Sequence, residues 1–201
     1  MSKRRGPWQV NASSEVYRND WVSLTEHAVT RPDGKPGVYG VVNFANTALA
    51  ILPVLADGHL ILVGQHRFPQ DRYSWEIPEG GGPLGEEPRV GAARELREET
   101  GYTAETWQEI LRMDLSNSVT DEAAIGYLAT GLTAGEAEPE GTEDLAIRFV
   151  HFRDALDEVS SGRITDALTV AMLLRAYYMA QEGELDADLA AAMLDQGARR
   201  A

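Results

Sequence analysis

The 201-residue sequence contains no cysteine, so it has neither a disulfide framework nor a thiolate metal site. No apolar run approaches the roughly 20 residues of a membrane span. The amino terminus, MSKRRGPWQVNASSEV, is basic but has no apolar stretch behind it that would make it a secretory signal. These absences point to a cytoplasmic location. Positive charge is also scarce: 18 lysines and arginines stand against 32 acids, for a net charge of −14. Such a surface repels nucleic acid and anionic membranes, and neither is expected as a partner. An anionic substrate would therefore have to be held by local arginines and bound cations. There is no internal repeat and no low-complexity tract. The length suffices for one domain of ordinary size with a real core.

The first half reads mostly as strands. EVYRNDWVSLTEHAV alternates well enough for one or two of them, and TRPDGKPG is a turn. VYGVVNF and ALAILPVL follow as strands, and ADG turns tightly into HLILVGQHRF. A helix is predicted from about Pro88 to Thr100, stopped by Gly101. TWQEILRM and AIGYLATGL are further strands, TAGEAEPEGTEDL an acidic loop, and AIRFVHF a strand. RDALDEVSSG, TDALTVAMLLRAYYMAQEG and DADLAAAMLDQGARR read as helices. This order is an α+β arrangement, with helices packed on a mostly non-parallel sheet. Trp21, Tyr39 and Phe44 are expected in the core. His27, His59, His66 and His151 are scattered, with no two at ligand spacing, and are expected to be structural or surface residues.

One stretch breaks local design rules. In GGGPLGEEPRVGAARELREETGY, residues 80–102, Glu95, Glu98 and Glu99 crowd the last turns of the helix, where the negative end of its dipole lies. At 100° per residue the three carboxylates share one face, while Val90, Ala93 and Leu96 fall largely on the other and can meet a core. Arg94 lies four residues before Glu98, within reach of an ion pair. Glu86 can fold back on the helix. The glycines at 80–82 allow a sharp loop whose backbone comes close to the carboxylates. Hard oxygen ligands on a rigid face beside such a loop suit Mg2+, with Mn2+ as the alternative, and an ion there would remove the repulsion. Rule violations of this kind concentrate at functional places.

The stretch fits Gly-x5-Glu-x7-Arg-Glu-U-x-Glu-Glu-x-Gly-U, with U bulky apolar or aromatic, at Gly80, Glu86, Arg94, Glu95, Leu96, Glu98, Glu99, Gly101 and Tyr102. At average residue frequencies, chance agreement at nine positions has odds on the order of 10⁻⁷. The pattern resembles the box of the Nudix hydrolases over all 23 residues. The resemblance implies a Nudix α/β/α sandwich with a mixed sheet and the box as loop–helix–loop. It also implies hydrolysis of a nucleoside diphosphate linked to another moiety. On that resemblance Glu95, Glu98 and Glu99 are metal ligands, joined by a main-chain carbonyl around Glu79–Gly80, with Gly80 the candidate. Arg94 and Glu86 are orienting groups, and Arg94, Glu98 and Glu99 form part of the catalytic set. Divalent ions would then bridge an acidic protein and an anionic substrate and activate the attacking water.

The likeness extends further. LVGQHRFPQDRYSWEIPEGG is similar to the segment that ADP-ribose pyrophosphatases and related nucleotide-sugar hydrolases carry before the box, with Gln65, Arg67, Pro69, Trp75, Glu76 and Pro78 matching. This implies substrate-binding roles for Gln65, Arg67 and Glu76, with Arg67 as a phosphate-contacting guanidinium. Trp75 is expected to pack rather than to stack on a base. SNSVTDEAAIGYLA resembles a loop that brings a general base or extra ligand over the metals. Glu122 is the candidate and Asp121 the alternative. Its Ser116-Asn117-Ser118-Val119 replaces a frequent proline–glycine turn, which leaves nucleotide sugars other than ADP-ribose open. SSGRITDALTVAMLLRA resembles the family's carboxy-terminal glycine–x–isoleucine–x–aspartate run into a helix.

The resemblance therefore implies an amino-terminal β extension, residues 1–45, that forms a homodimer, followed by a Nudix domain, residues 46–201. The implied substrate is a nucleoside diphosphate sugar. Two other readings stay open at this point: a Nudix hydrolase of nucleoside triphosphates or dinucleotides, and a non-catalytic nucleotide sensor.

Overall fold

The computed structural model describes residues 3–136 and 145–195. These fall into two compact units, one running up to Thr47 and including Met113–Ala124, the other Ala48–Arg112 together with the residues from Ile125 onward.

The first unit is an antiparallel sheet of β1 (Lys3–Arg5), β2 (Trp8–Arg18), β3 (Val22–Thr30) and β4 (Pro36–Phe44), in that spatial order. Gly6 and Gly34 take positive φ in the turns that join the first and last pairs. The sequence pattern missed β1 and most of β2, because β2 is exposed over its last eight residues and lacks a continuous apolar face. Trp21, expected in the core, is 67% exposed just ahead of β3. Tyr39 and Phe44 are half-buried. Residues 115–122 line β4. The Val42 N–H donates to the Val119 carbonyl at 2.9 Å, the Asp121 N–H to the Val42 carbonyl at 3.2 Å, and the Tyr39 hydroxyl to the Ser118 carbonyl at 2.6 Å.

The second unit is built from β5 (Asn46–Pro53), β6 (His59–Arg67), β7 (Arg72–Glu76), β8 (Glu79–Pro83), α1 (Pro88–Thr100), β9 (Tyr102–Asp114), β10 (Ala123–Ala134), β11 (Ala146–His151), α2 (Phe152–Ser160), α3 (Ala167–Gln181) and α4 (Ala187–Leu194). One sheet has the order β8-β5-β10-β9 and the other β11-β6-β7. Strand β10 shows the layering. Its Ile125, Tyr127 and Ala129 join Leu49, Ile51, Ala92 and Leu96 in a cluster that seats α1 on one face. The intervening Gly126 presses on Met172 of α3, on the other face. This is the expected α+β, α/β/α sandwich.

Helix α1 has the predicted ends. The Glu87 side chain accepts from the Arg89 and Val90 N–H groups, Pro88 sits in the first turn, and Gly101 closes the helix at φ 75°. Its buried face differs from expectation. Val90 is 50% exposed, whereas Gly91, Ala92 and Leu96 are buried. A Cβ at Gly91 would lie 2.6 Å from Leu49 Cδ1, so this glycine sets how closely the helix approaches the sheet.

The Gly80–Gly82 run is also not the loop its composition suggested. It lies inside strand β8, next to β5. Alternate glycines face the same side, and a Cβ at Gly82 would meet Leu49 Cδ1 at 2.8 Å. The glycines serve close helix–strand packing. Most of the expected acidic loop, residues 137–144, and the end of the last expected helix, residues 196–200, lie outside the described residues. Among the described residues no helix is long and apolar enough to cross a membrane.

Leu96 is fully buried at the centre of the α1 contact. Replacing it with alanine is expected to cost about 2–5 kcal/mol of unfolding free energy, since the helix is held by packing and the cavity cannot fully collapse. Urea unfolding of Leu96→Ala checks this, and a loss within error of zero would mean that α1 is anchored elsewhere.

Candidate active site

Helix α1 and strand β8 bring three glutamates to one place in the second unit. A Cβ at Gly80 would overlap the carboxyl group of Glu95, so the Glu95 side chain lies directly on the glycine backbone. Only glycine leaves that room. Glu99 is 3% exposed, and its Oε2 accepts from the Glu79 N–H at 3.1 Å. Arg94 supplies nearby positive charge. Its Nη1 lies 2.8 Å from Glu95 Oε1 and 2.9 Å from Glu98 Oε2, and its Nη2 donates to the Gly81 carbonyl at 3.0 Å. Burial alone would lower the Arg94 pKa, but Glu95 and Glu98 outweigh it and raise the pKa. Arg94 thus ties the helix to the glycine strand while partly neutralising two of the acids. Glu86 is folded back towards the helix start, with its Oε2 2.9 Å from where a Gly91 Cβ would sit, buried and without a hydrogen-bond partner among the described residues.

A second charged group meets the same end of β8, at Glu79. Gln65 and Arg67 lie two residues apart on β6, so they share a face, and β7 places Glu76 opposite Val63 on that same face. The Arg67 guanidinium donates from Nε and Nη2 to Glu76, with Nη2 2.5 Å from Oε2, and from Nη2 to Glu79 Oε1 at 2.5 Å. Glu76 is 2% exposed. Burial would lower the Arg67 pKa, yet the Glu76 hydrogen bond and the charges of Glu79, Glu76 and Asp166 raise it above the ordinary guanidinium value. Asp166 caps α3 by accepting from the Thr169 N–H at 2.7 Å, and the Thr169 hydroxyl accepts from the Ile77 N–H at 3.0 Å. One carboxylate oxygen each from Glu76, Glu79 and Asp166 lie within 4.8 Å of one another.

In the sequence, residue 79 stands out only for its main chain and Asp166 only as part of a helix signature. The Glu79 side chain was not legible, because no spacing rule links residue 79 to residues 67 and 166. Trp75 packs as expected, with the Arg148 guanidinium 4.6 Å from its ring centre.

The loop candidates lie in the first unit. Asp121 Oδ1 accepts from the Phe44 N–H at 2.9 Å, so this acid has a structural partner on β4. Glu122 is half-buried, and burial raises its pKa above the ordinary carboxylate value. The loop between them and β9 is tied by the Thr120 hydroxyl to the Leu115 carbonyl at 2.7 Å and by the Leu115 N–H to the Glu122 carbonyl at 2.8 Å.

Comparison with known proteins decides what this helix and strand are. The NUDIX domain model matches residues 45–168, which is more than half of the chain. The chain belongs to the Nudix family. A second model, the nucleoside diphosphate sugar hydrolase N-terminal domain, matches residues 8–42. Among relatives, an ADP-ribose pyrophosphatase of Bacillus subtilis (strain 168) is 36% identical over 160 residues, covering 79% of this chain and 86% of that one. The ADP-ribose pyrophosphatase of Mycobacterium tuberculosis (strain ATCC 25618 / H37Rv) is 35% identical over 133 residues, covering 65% and 64%. A methanol dehydrogenase activator of Bacillus methanolicus is 30% identical over 160 residues, covering 79% and 86%. A crystal structure of an ADP compounds hydrolase superposes with a TM-score of 0.80 at 20% identity, covering 92% of this chain and all of that one, which supports the fold. The protein is a Nudix hydrolase with the family's box on β8 and α1, and all its box glutamates are present.

Burial, with Asp166 next in weight, pushes the Glu79 carboxyl well above the ordinary carboxylate range. A group whose folded-state pKa is raised holds a proton that the unfolded chain has already released. Its contribution to stability therefore grows as pH falls through the folded value, is complete below the unfolded value near 4.5, and is lost as pH rises. Glu79→Gln is expected to make the metal-free chain more stable at pH 8 and to flatten the rise in stability towards pH 5. Urea unfolding across that range tests it, and an unchanged pH slope would remove Glu79 as its source.

Proposed function

We propose that this Nudix hydrolase cleaves the pyrophosphate bond of a nucleoside diphosphate sugar of the ADP-ribose class, releasing a nucleoside monophosphate and a sugar phosphate. The observation that carries the reading is the lodging of Glu95 against the Gly80 backbone, with Glu98 and Glu99 on the same helix and the Glu79 N–H orienting Glu99. Such a set of hard oxygen donors fits Mg2+ or Mn2+, because it offers carboxylates beside an unhindered main chain. Glu95, Glu98, Glu99 and the Gly80 carbonyl would hold the metal. Bound there, it would supply charge neutralisation of the diphosphate and acidification of a water. Domain models matched at both 8–42 and 45–168, and the two ADP-ribose pyrophosphatases among the relatives, support this substrate class over nucleoside triphosphates.

The chain's own residues divide the remaining work. Arg94 holds Glu95 and Glu98 by ion pairing and ties the helix to the strand through the Gly81 carbonyl. Arg67, with Gln65 and Glu76 on the same sheet face, contacts the substrate's phosphate oxygens. Glu122 takes the proton of the attacking water, and the burial that raises its pKa brings its basicity nearer to neutral pH. Residues 1–45 form a β extension that pairs two copies into a homodimer. Trp21, Val38 and Val16 are exposed on that extension and available to a second copy. Residues 46–201 form the Nudix domain.

A panel of nucleotide sugars, dinucleotides and triphosphates, assayed with Mg2+ and resolved by chromatography, tests the reading. Release of AMP and ribose phosphate from ADP-ribose is expected, with triphosphates turned over more slowly. Hydrolysis confined to triphosphates would overturn it. Glu99→Gln is expected to lower turnover by about three orders of magnitude or more while leaving the fold intact, since it relieves repulsion at an unfavourable helix end.

A further inference from the structure

Glu79 stands where a carboxylate costs most. Its Oε2 is buried without a hydrogen-bond partner among the described residues. Glu76 and Asp166 crowd it with like charge. The hydrogen bond its side chain makes is to Arg67, and Arg67 already has a two-point pair with Glu76. Neutralising Arg67 therefore does not require Glu79, and Glu79 is not explained as a fold-stabilising group.

What Glu79 adds is direction. A guanidinium carries five N–H donors in a rigid planar fork. The Nε proton and one Nη2 proton go to Glu76, and the other Nη2 proton goes to Glu79. With Nη2 gripped from both sides, the guanidinium cannot slide along Glu76 or rotate towards Asp166. Among the described residues the two Nη1 protons meet no acceptor, which leaves that edge for another anion. The same residue reaches the glutamate cluster through its main chain, where its N–H holds Glu99 Oε2. One residue thus fixes both the arginine and a box glutamate.

We propose that Glu79 is a positioning residue, whose carboxylate locks Arg67 so that its Nη1 edge faces a phosphate oxygen of the bound diphosphate. This rests on the diphosphate-hydrolase reading given above. It assigns to Glu79 a role in substrate binding rather than in bond cleavage.

The test compares Glu79→Ala and Glu79→Gln with the wild-type chain in steady-state hydrolysis of ADP-ribose with Mg2+. Hydrogen exchange at the Arg67 Nε–H is measured in parallel, with its resonance assigned through Arg67→Lys. In Glu79→Ala the KM is expected to rise about tenfold with kcat held within about threefold, because a ground-state contact is lost while the chemistry keeps its glutamates. Glu79→Gln, whose amide oxygen still accepts from Nη2, is expected to recover most of the KM. Arg67 exchange should accelerate in the same order, alanine more than glutamine. Unchanged KM in Glu79→Ala overturns the proposal, and so does a parallel fall in kcat that tracks thermal stability in both variants. A wild-type chain inert toward every diphosphate would sink the functional reading by itself. Calorimetric binding of ADP would then decide the clamp: weakened by alanine and restored by glutamine upholds it, equal in all three removes it.

Discussion

Repulsion among buried carboxylates organises the second unit of this protein. Glu76, Glu79, Glu95, Glu98 and Glu99 all lie on or beside one strand and one helix, and two arginines, Arg67 and Arg94, each stand within 2.9 Å of two of them. Each arginine serves at least two acids. Charges held this far from water are tolerated when their hydrogen bonds are nearly complete or when a cation joins them. Much of the local architecture follows from that constraint. Glycines let the strand come within reach of the helix, a glutamate side chain caps the helix start, and main-chain N–H groups are turned towards carboxylate oxygens.

The helix itself is a compromise between packing and charge. Gly91, Ala92 and Leu96 press it onto Leu49, Ile51 and the β10 side chains. Small residues at its start let it tilt close to β8, which in turn brings Glu95 onto Gly80. A bulkier residue at 91 would lift the helix and open the carboxylate cluster even though it touches none of the acids. Packing and chemistry are coupled here through backbone distance, with glycine at both points of closest approach.

The pattern of the sequence made α1 legible, because a proline at its start and a glycine just past its end mark it and tertiary context does not override them. The sandwich was legible too, from the order of elements and the box. Three things were hidden. The glycine run read as a loop because glycine has low strand propensity, and its packing role depends on Leu49, some 30 residues away in sequence. Val90 was assigned to the core by an ideal helical wheel, whereas the helix is rotated so that Gly91 faces inward. The Arg67–Glu76–Glu79–Asp166 group joins residues from three strands and a helix cap, a juxtaposition that arises from the fold and has no local signature.

The first unit is not continuous in the chain. Its last strand, β4, finds hydrogen-bonding partners in residues 115–122, across some 75 intervening positions. Contacts of such sequence separation carry a large loop-closure penalty and form late. On the ribosome, the amino-terminal sheet would have to wait with one margin bare until residue 121 emerged, and a fragment ending near residue 45 would keep that margin bare permanently. An unpaired strand margin is a template for association with other chains. Fragments of this protein are therefore poor stand-ins for the whole, and newly made chains are most exposed to misassembly during the interval between synthesis of β4 and synthesis of the loop that covers it.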